Sequence, residues 1–438
     1  MESNPLLDAL LDEAGMSRSG LAHRVNQAGA PRGKTTTYDH SSVIRWLRGQ
    51  RPRGIVPELI RQVFSEHLGR AVSLDDIGMG ADAQPASTPL PLFIERSTAA
   101  WRTDRDRHGT PVLTGLPAVG PIWEWEAPPG DADVSRSGTV HVGLSDVAVL
   151  RGARTHYEQM YRKAGGVATR ERVLGYLTRE AAPMLRGAYT DSTGRELCRA
   201  AGGIVAVAGI CAYDSDAQGL AQRNFHQAIR LAKASGDRAF GGYVIALLVN
   251  QSLFLREYRQ AVAFAEAALR TAGQVISPAL ATDLYAMQAK AYAGLGDSGS
   301  AHRCMRLAES RAGQIRPIEE PAETAYVQQG LVEACVGEAL TQLGDLATAT
   351  EYAAEAARAP AHPRGRANRL ASLATAQALG GDAEAAASTA MDMLDVATGM
   401  ESERLRDRLR SLRFTLAGRG RAGADAVEAI DDNLSVSW

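Results

Sequence analysis

Cysteine is scarce in this 438-residue chain, with only Cys198, Cys211, Cys304 and Cys335. They are widely spaced and form neither a CxxC pair nor a Cys/His ligand set, which excludes a zinc knuckle and a disulfide framework and points to free thiols in a reducing compartment. Aromatic residues are also few, at 5%, while alanine is abundant through the second half, a balance suited to close-packed helices and not to β-sandwiches. Long hydrophobic runs are missing too. The most apolar stretch, Ile204–Ala212, is about half a membrane span. The acidic start MESNPLLDALLDEAG has neither the basic end nor the apolar centre of a signal peptide. A cytoplasmic protein with no membrane partner is therefore expected.

What is present is a concentration of positive charge. The chain as a whole carries a formal net charge of −2. Between Arg18 and Arg53, however, eight basic residues (Arg18, Arg24, Arg32, Lys34, Arg45, Arg48, Arg51 and Arg53) face a single acid, Asp39. A focused basic patch in an otherwise acidic chain is the electrostatic footprint of a phosphate-backbone binder. A merely solvated charged face is the plain alternative.

The pattern predicts three regions. Residues 1–78 read as short helices: Leu6, Leu7, Leu10 and Leu11 form the inner face of a first helix closed by Gly15, Ser17 caps a second with Leu21, Ala22 and Val25, and Val43, Ile44, Trp46 and Leu47 mark a third that Gly49 ends. Pro57 begins a fourth. Residues 79–149, rich in Pro, Gly, Ser and Thr, read as a linker with a small ordered segment around Phe93 and Trp101. Thr139–Val142 is a candidate short strand, and Trp123 and Trp125 are the sort of residues that pack a domain seam. Residues 150–438 form the third region, helical in pattern from about Leu150 to Ala417.

In that last region the sequence repeats. Aligned on Asp216, Glu257, Asp297, Asp345 and Asp382, alanine follows four positions later (five after Asp216) at 221, 261, 301, 349 and 386. Seven further on it recurs at 228, 268, 308 and 356, with Met393 breaking the pattern. This is the signature of tetratricopeptide-like helical hairpins, in which alanines on the second helix permit close packing. The spacings of 41, 40, 48 and 37 residues exceed the ideal unit of about 34, extra loop residues such as Gly313–Pro321 making the difference. The expected fold is all-α: an N-terminal helix-turn-helix domain joined by a linker to a tetratricopeptide-like α-solenoid.

The segments Ser17–Val25 (SRSGLAHRV) and Ser41–Gly49 (SSVIRWLRG) resemble the lambda-repressor-like, xenobiotic-response-element family of helix-turn-helix regulators. Leu21 and Ala22 stand where that family packs its first helix against an apolar-x-x-Trp pattern, here Val43 and Trp46. The wider arrangement, with WLRGQRPRG, LGRAVSLDDIG and distal tetratricopeptide repeats, is similar to actinobacterial regulators of development and secondary metabolism. The resemblance implies that Asp39, His40, Ser42 and Arg45 face DNA bases while Arg48, Arg51, Arg53 and Arg24 hold phosphates. An insertion, Gln27–Thr37, departs from the family and carries Arg32 and Lys34 toward a phosphate or a neighbouring groove.

Other chemistries find no support. Gly29–Thr35 (GAPRGKT) is one residue short of a phosphate-binding loop, with no buried strand before it. His156, Tyr157 and Glu158 lack a paired ligand, and no nucleophile or carboxylate pair stands out. No enzyme activity, cofactor or metal is expected. Two functions remain. One is a DNA-binding regulator whose repeats form a homodimer or take a peptide, protein or small-molecule signal in their groove. The other is an interaction scaffold whose N-terminal helices serve assembly.

Overall fold

The computed structural model describes residues 4–29, 36–50, 52, 54–70, 72–74, 76–79, 88–104, 110–127, 130–417 and 420–435. The fold is all-α. The chain divides into two compact units, Met1–Pro89 with Thr114–Val119, and Leu90–Leu113 with Gly120–Trp438.

The first unit is built from α1 (Pro5–Glu13), α2 (Arg18–Gly29), α3 (His40–Leu47) and α4 (Val56–Leu68). The helix ends follow the local chemistry: Asn4 caps α1, the Ser17 hydroxyl accepts from Gly20 N–H at 3.0 Å, and Gly69 closes α4 in the left-handed conformation. Leu7, Leu21, Val25, Val43, Leu59, Ile60 and Phe64 are fully buried. Asn4 pins the chain start to this core, donating through its backbone to Leu47 O at 2.8 Å and through its amide to Ile77 O at 2.9 Å.

The second unit begins with α5 (Leu90–Thr103), and α6 spans Leu116–Glu126. Much of what reads from sequence as a linker is thus ordered. The reason lies in polar residues of a later helix that bind its backbone and side chains: Gln227 accepts from the Trp101 indole at 2.8 Å, Gln222 exchanges two hydrogen bonds with the Leu113 backbone, and Arg230 forks onto Asp131 at 2.7 and 2.8 Å. Trp125 is buried against Gly241, where a Cβ would collide with the indole. Thr139–Val142 is not a strand. Its residues make only an isolated bridge, with Val142 N–H donating to Ala188 O at 3.0 Å, because the partner stretch between α9 and α10 is only a few residues long and its next residue, Tyr189, bridges to Arg136 instead.

Next come α7 (Leu144–Ala164), α8 (Gly166–Tyr176), which passes through a π turn into α9 (Ala182–Leu185), and then the hairpins. Each has an A and a B helix: α10 (Asp191–Asp214) with α11 (Gln218–Ser235), α12 (Arg238–Phe254) with α13 (Tyr258–Ala272), α14 (Pro278–Gly294) with α15 (Ser298–Ala312), α16 (Leu331–Leu343) with α17 (Leu346–Arg358), and α18 (Pro363–Gly380) with α19 (Ala383–Ala397). The pair α20 (Glu403–Leu416) and α21 (Gly420–Ser435) covers the end of the last hairpin's core. The aligned alanines of the B helices are all buried, and Met393, the exception, is equally buried.

The turns share one device. The residue just before each B-helix N-cap has positive φ: Asp216 (58°), Arg256 (59°), Gly296 (76°), Gly344 (85°) and Gly381 (92°). Asp216 is therefore the left-handed residue and Ala217 the N-cap, which removes the odd five-residue spacing seen in the sequence. Asp297, Asp345 and Asp382 are true caps, accepting from the N–H groups of Ser300, Thr348 and Ala385. A Cβ on Gly344 would meet nothing within 4 Å, so Gly344→Ala isolates the conformational cost and is expected to lose about 1 kcal/mol in urea unfolding. Gly380, equally unobstructed but in the last turn of α18 without positive φ, should tolerate alanine without loss. Equal behaviour of the two variants would contradict the shared turn.

Successive A helices pack directly on one another, whereas successive B helices make no comparable contact. The A helices therefore line the inner side of the stack. Its first, α10, is long and apolar enough to cross a membrane by composition, but 83% of its most apolar window is buried inside the protein. The α7–α8 corner meets the chain just before α20: Glu401 N–H donates to Ala164 O at 3.0 Å and Val167 N–H to Glu401 O at 3.3 Å. Beneath this seam Asp214, fully buried, accepts from Gly166 N–H at 2.7 Å and from the Ser402 hydroxyl at 2.8 Å, and pairs with buried Arg364. Arg364 also donates to Tyr161 and Ser402, both at 2.8 Å.

Candidate nucleic-acid interface

The basic segment maps onto α2, α3 and the stretches flanking them. α3 is short, and three side chains fix its orientation: Ser42, Val43 and Trp46 are buried, and Tyr38 meets the Trp46 ring edge-on at 5.2 Å between centroids. The face opposite is solvent-exposed and carries His40, Ser41, Arg45 and Arg48, with Ile44 half-buried among them. Arg24, on α2, is also exposed.

Two residues expected to face bases are otherwise engaged. Ser42 is only 4% exposed. It stands three positions after Asp39, and the pair forms a reciprocal cap: Asp39 Oδ1 accepts from Ser42 N–H and from the Ser42 hydroxyl, each at 2.9 Å. Arg45 Nη2 then donates to Ser42 Oγ at 3.1 Å. The hydrogen bonds from Ser42 hold the Asp39 carboxyl below the usual carboxylate range, so it stays ionised and bound to the first turn of its own helix. Ser42, expected to face a base, is a buried capping residue in this fold. Its neighbour Ser41 holds the outward position. Helical period carries the signal, since residue 42 lies one turn before Trp46 and shares its buried face.

The residues that flank the insertion, Asn26 and Tyr38, are joined directly. The Asn26 amide donates to Tyr38 O at 2.8 Å and accepts from Tyr38 N–H at 3.0 Å. This two-bond clasp lets α3 dock on α2 despite the extra residues. Nothing in the sequence pattern singled out Asn26, because a clasp 12 residues long has no periodic signature. Arg32 and Lys34 within the insertion, most of the Gly29–Thr35 segment, and Arg51 and Arg53 beyond α3 lie outside the described residues. A shallow depression of about 310 Å³ opens at the starts of α2 and α3, lined by Asp8, Asp12, Ser17, Arg18, Ser19 and His40 among others. Its two aspartates oppose a phosphate there, and the exposed arginines of the α3 face are the better anion partners.

Residues 7–80 match the SP15 N-terminal domain. The match coincides with α1–α4 and the segment after them, and includes none of the repeat unit. No curated protein matches the chain.

Proposed function

We propose that this chain is a cytoplasmic DNA-binding transcriptional regulator. In this reading α2 and α3 act as a helix-turn-helix of the lambda-repressor-like kind, and the repeat unit dimerises or takes a signal. One observation carries it: a short helix, anchored by Trp46 and capped by Asp39, presents an outward face of His40, Ser41, Arg45 and Arg48. Such a face fits the major groove. Arg45, nearest the helix N-terminal half, suits a guanine edge, and Arg48 with Arg24 suits flanking phosphates. A homodimer on paired half-sites would double these contacts, and the resemblance of the whole chain points to control of development or secondary metabolism.

The test is binding of the full chain to its own promoter fragment across a salt series. Arg45→Ala with Arg48→Ala should weaken binding by at least about ten-fold and flatten the salt slope by roughly one unit per lost phosphate contact. Both substituted side chains are exposed, so the fold should persist. Unchanged affinity and slope would favour the scaffold reading instead.

A further inference from the structure

The longest departure from the repeat is the segment between α15 and α16, residues 313–330. It does not loop away into solvent. Its second half enters the inner side of the stack and touches α7 and four of the A helices, α10, α12, α14 and α18. Glu320 Oε1 accepts from Ala279 N–H at the start of α14, at 3.1 Å. Glu323, 7% exposed, accepts from Arg199 of α10 at 2.7 Å and lies 3.9 Å from Arg154 of α7. The Tyr326 hydroxyl donates to Asp283 of α14 at 2.5 Å, and its ring lies 6.5 Å from that of Tyr243 of α12. Gln329 O accepts from Arg369 of α18 at 2.9 Å. Thr324 and Val327 are buried between these anchors.

Such a contact set differs from hairpin packing. A connector needs only to span from Ala312 to Leu331, yet this one places two carboxylates, a phenol and a backbone carbonyl on polar groups of α7, α10, α14 and α18, and a ring against α12. The wall is correspondingly built for an acidic, aromatic strand. Arg199 is held by Asp237 at 2.7 Å and stacks 3.9 Å over Phe240, and Arg154 is held by Glu158 at 2.8 Å. Both guanidiniums thus have a carboxylate partner besides Glu323. Asp283, buried beneath Tyr326, has its carboxyl pushed up to about 6 by desolvation, partly offset by the phenol's hydrogen bond.

We propose that residues 320–329 are an internal occupant of a peptide-docking seat on the inner wall of the repeat unit, and that the seat takes a partner segment of the same chemistry, an acidic residue three positions before a tyrosine. The loop and the partner compete, so the tethered loop, with its high local concentration, sets the threshold for the partner. This seat deepens the signal-binding part of the proposed function, yet it stands whether or not α3 reads DNA.

The probe is a fluorescein-labelled peptide with the sequence of residues 318–329, IEEPAETAYVQQ. In the full-length chain carrying Glu323→Ala and Tyr326→Ala, its anisotropy titration should show binding at least about ten-fold tighter than to the unsubstituted chain. Adding Arg199→Ala should reverse that gain, and a peptide with Gln and Phe at the two anchor positions should bind weakly. No gain in the vacated chain, shown folded by circular dichroism, or binding indifferent to Arg199→Ala, overturns the proposal. Hydrogen exchange on the unsubstituted chain gives an independent reading. The amides of Thr324 and Val327 should open well below the global unfolding limit, and exchange of these amides only with α10, α12 and α14 would make the segment plain core and refute the seat.

Discussion

Asp214→Ala should destabilise the repeat unit by about 3–5 kcal/mol in urea unfolding. Asp214 is fully buried and Arg364 is 5% exposed, so removal of the carboxylate leaves a guanidinium with no water and no counter-ion. It also strands the Gly166 N–H and the Ser402 hydroxyl, which both donate to that carboxylate. The ion pair itself is not the source of the stability. Two charges taken out of water recover little more than their desolvation cost, and replacing both with apolar side chains of similar size is often neutral. Asp214→Leu combined with Arg364→Met should accordingly regain most of the loss. The double variant should still weaken the seam above it, where Glu401 donates to Ala164 and accepts from Val167 at the α7–α8 corner, and hydrogen exchange at the Glu401 and Val167 amides would report it. A single variant within about 1 kcal/mol of the unsubstituted chain would show that the pair is solvated in solution.

The other large effect belongs to the first unit. Trp46→Ala removes the largest side chain that holds α3 down, 4% exposed and edge-on to Tyr38. A cavity of that size costs about 3–5 kcal/mol, comparable to the whole stability of a small helical unit. The first unit should therefore melt early, seen as a separate low-temperature transition in calorimetry, while the repeat unit, with its own core, keeps its transition. The DNA binding proposed for α3 should vanish together with the fold. Arg45→Ala with Arg48→Ala makes the useful contrast, losing affinity while the melting profile stays in place. Retention of the first transition in Trp46→Ala would mean that α3 is held by the Asn26–Tyr38 clasp and its cap more than by its buried ring.

The inner wall extends the argument about buried charge. Glu338 accepts from Ser372 at 2.7 Å and pairs with Lys290 and with Arg408 at 2.9 Å. These two cations hold its carboxyl far below the ordinary carboxylate range against the opposing effect of burial. Asp283 is shifted the other way, by desolvation, to about 6. Two carboxylates on neighbouring A helices thus have opposite pH linkage. The Glu338 contribution is lost as pH falls through its depressed value, while the Asp283 contribution is lost as pH rises toward 6.

The repeat was legible because it is periodic: buried alanines at fixed offsets, and Asp or Gly at every turn but the Arg256–Glu257 one, record contacts between residues close in sequence. The same holds for the faces of α1 to α4, where spacing alone places Leu7, Leu21, Val43 and Trp46 inside. Local chemistry also fixed the caps at Ser17, Asp297, Asp345 and Asp382. Long-range pairings had no such record. Ser42 reads as a recognition residue until Trp46 fixes which way α3 faces, and the linker expected over 79–149 gives no sign of the anchors that Gln227, Gln222 and Arg230 of α11 provide for Trp101, Leu113 and Asp131. The joining of Ala164 to Glu401 and the seating of Glu323 and Tyr326 on the inner wall depend on how far the stack curves. Curvature is a sum of small rotations between successive hairpins, and no single residue encodes it. The sequence by itself determined the helices, their buried faces and the basic face of α3. Only the tertiary structure decided which polar groups those faces meet, because partners such as Asp214 and Arg364 stand 150 residues apart and are brought together by the path of the whole stack.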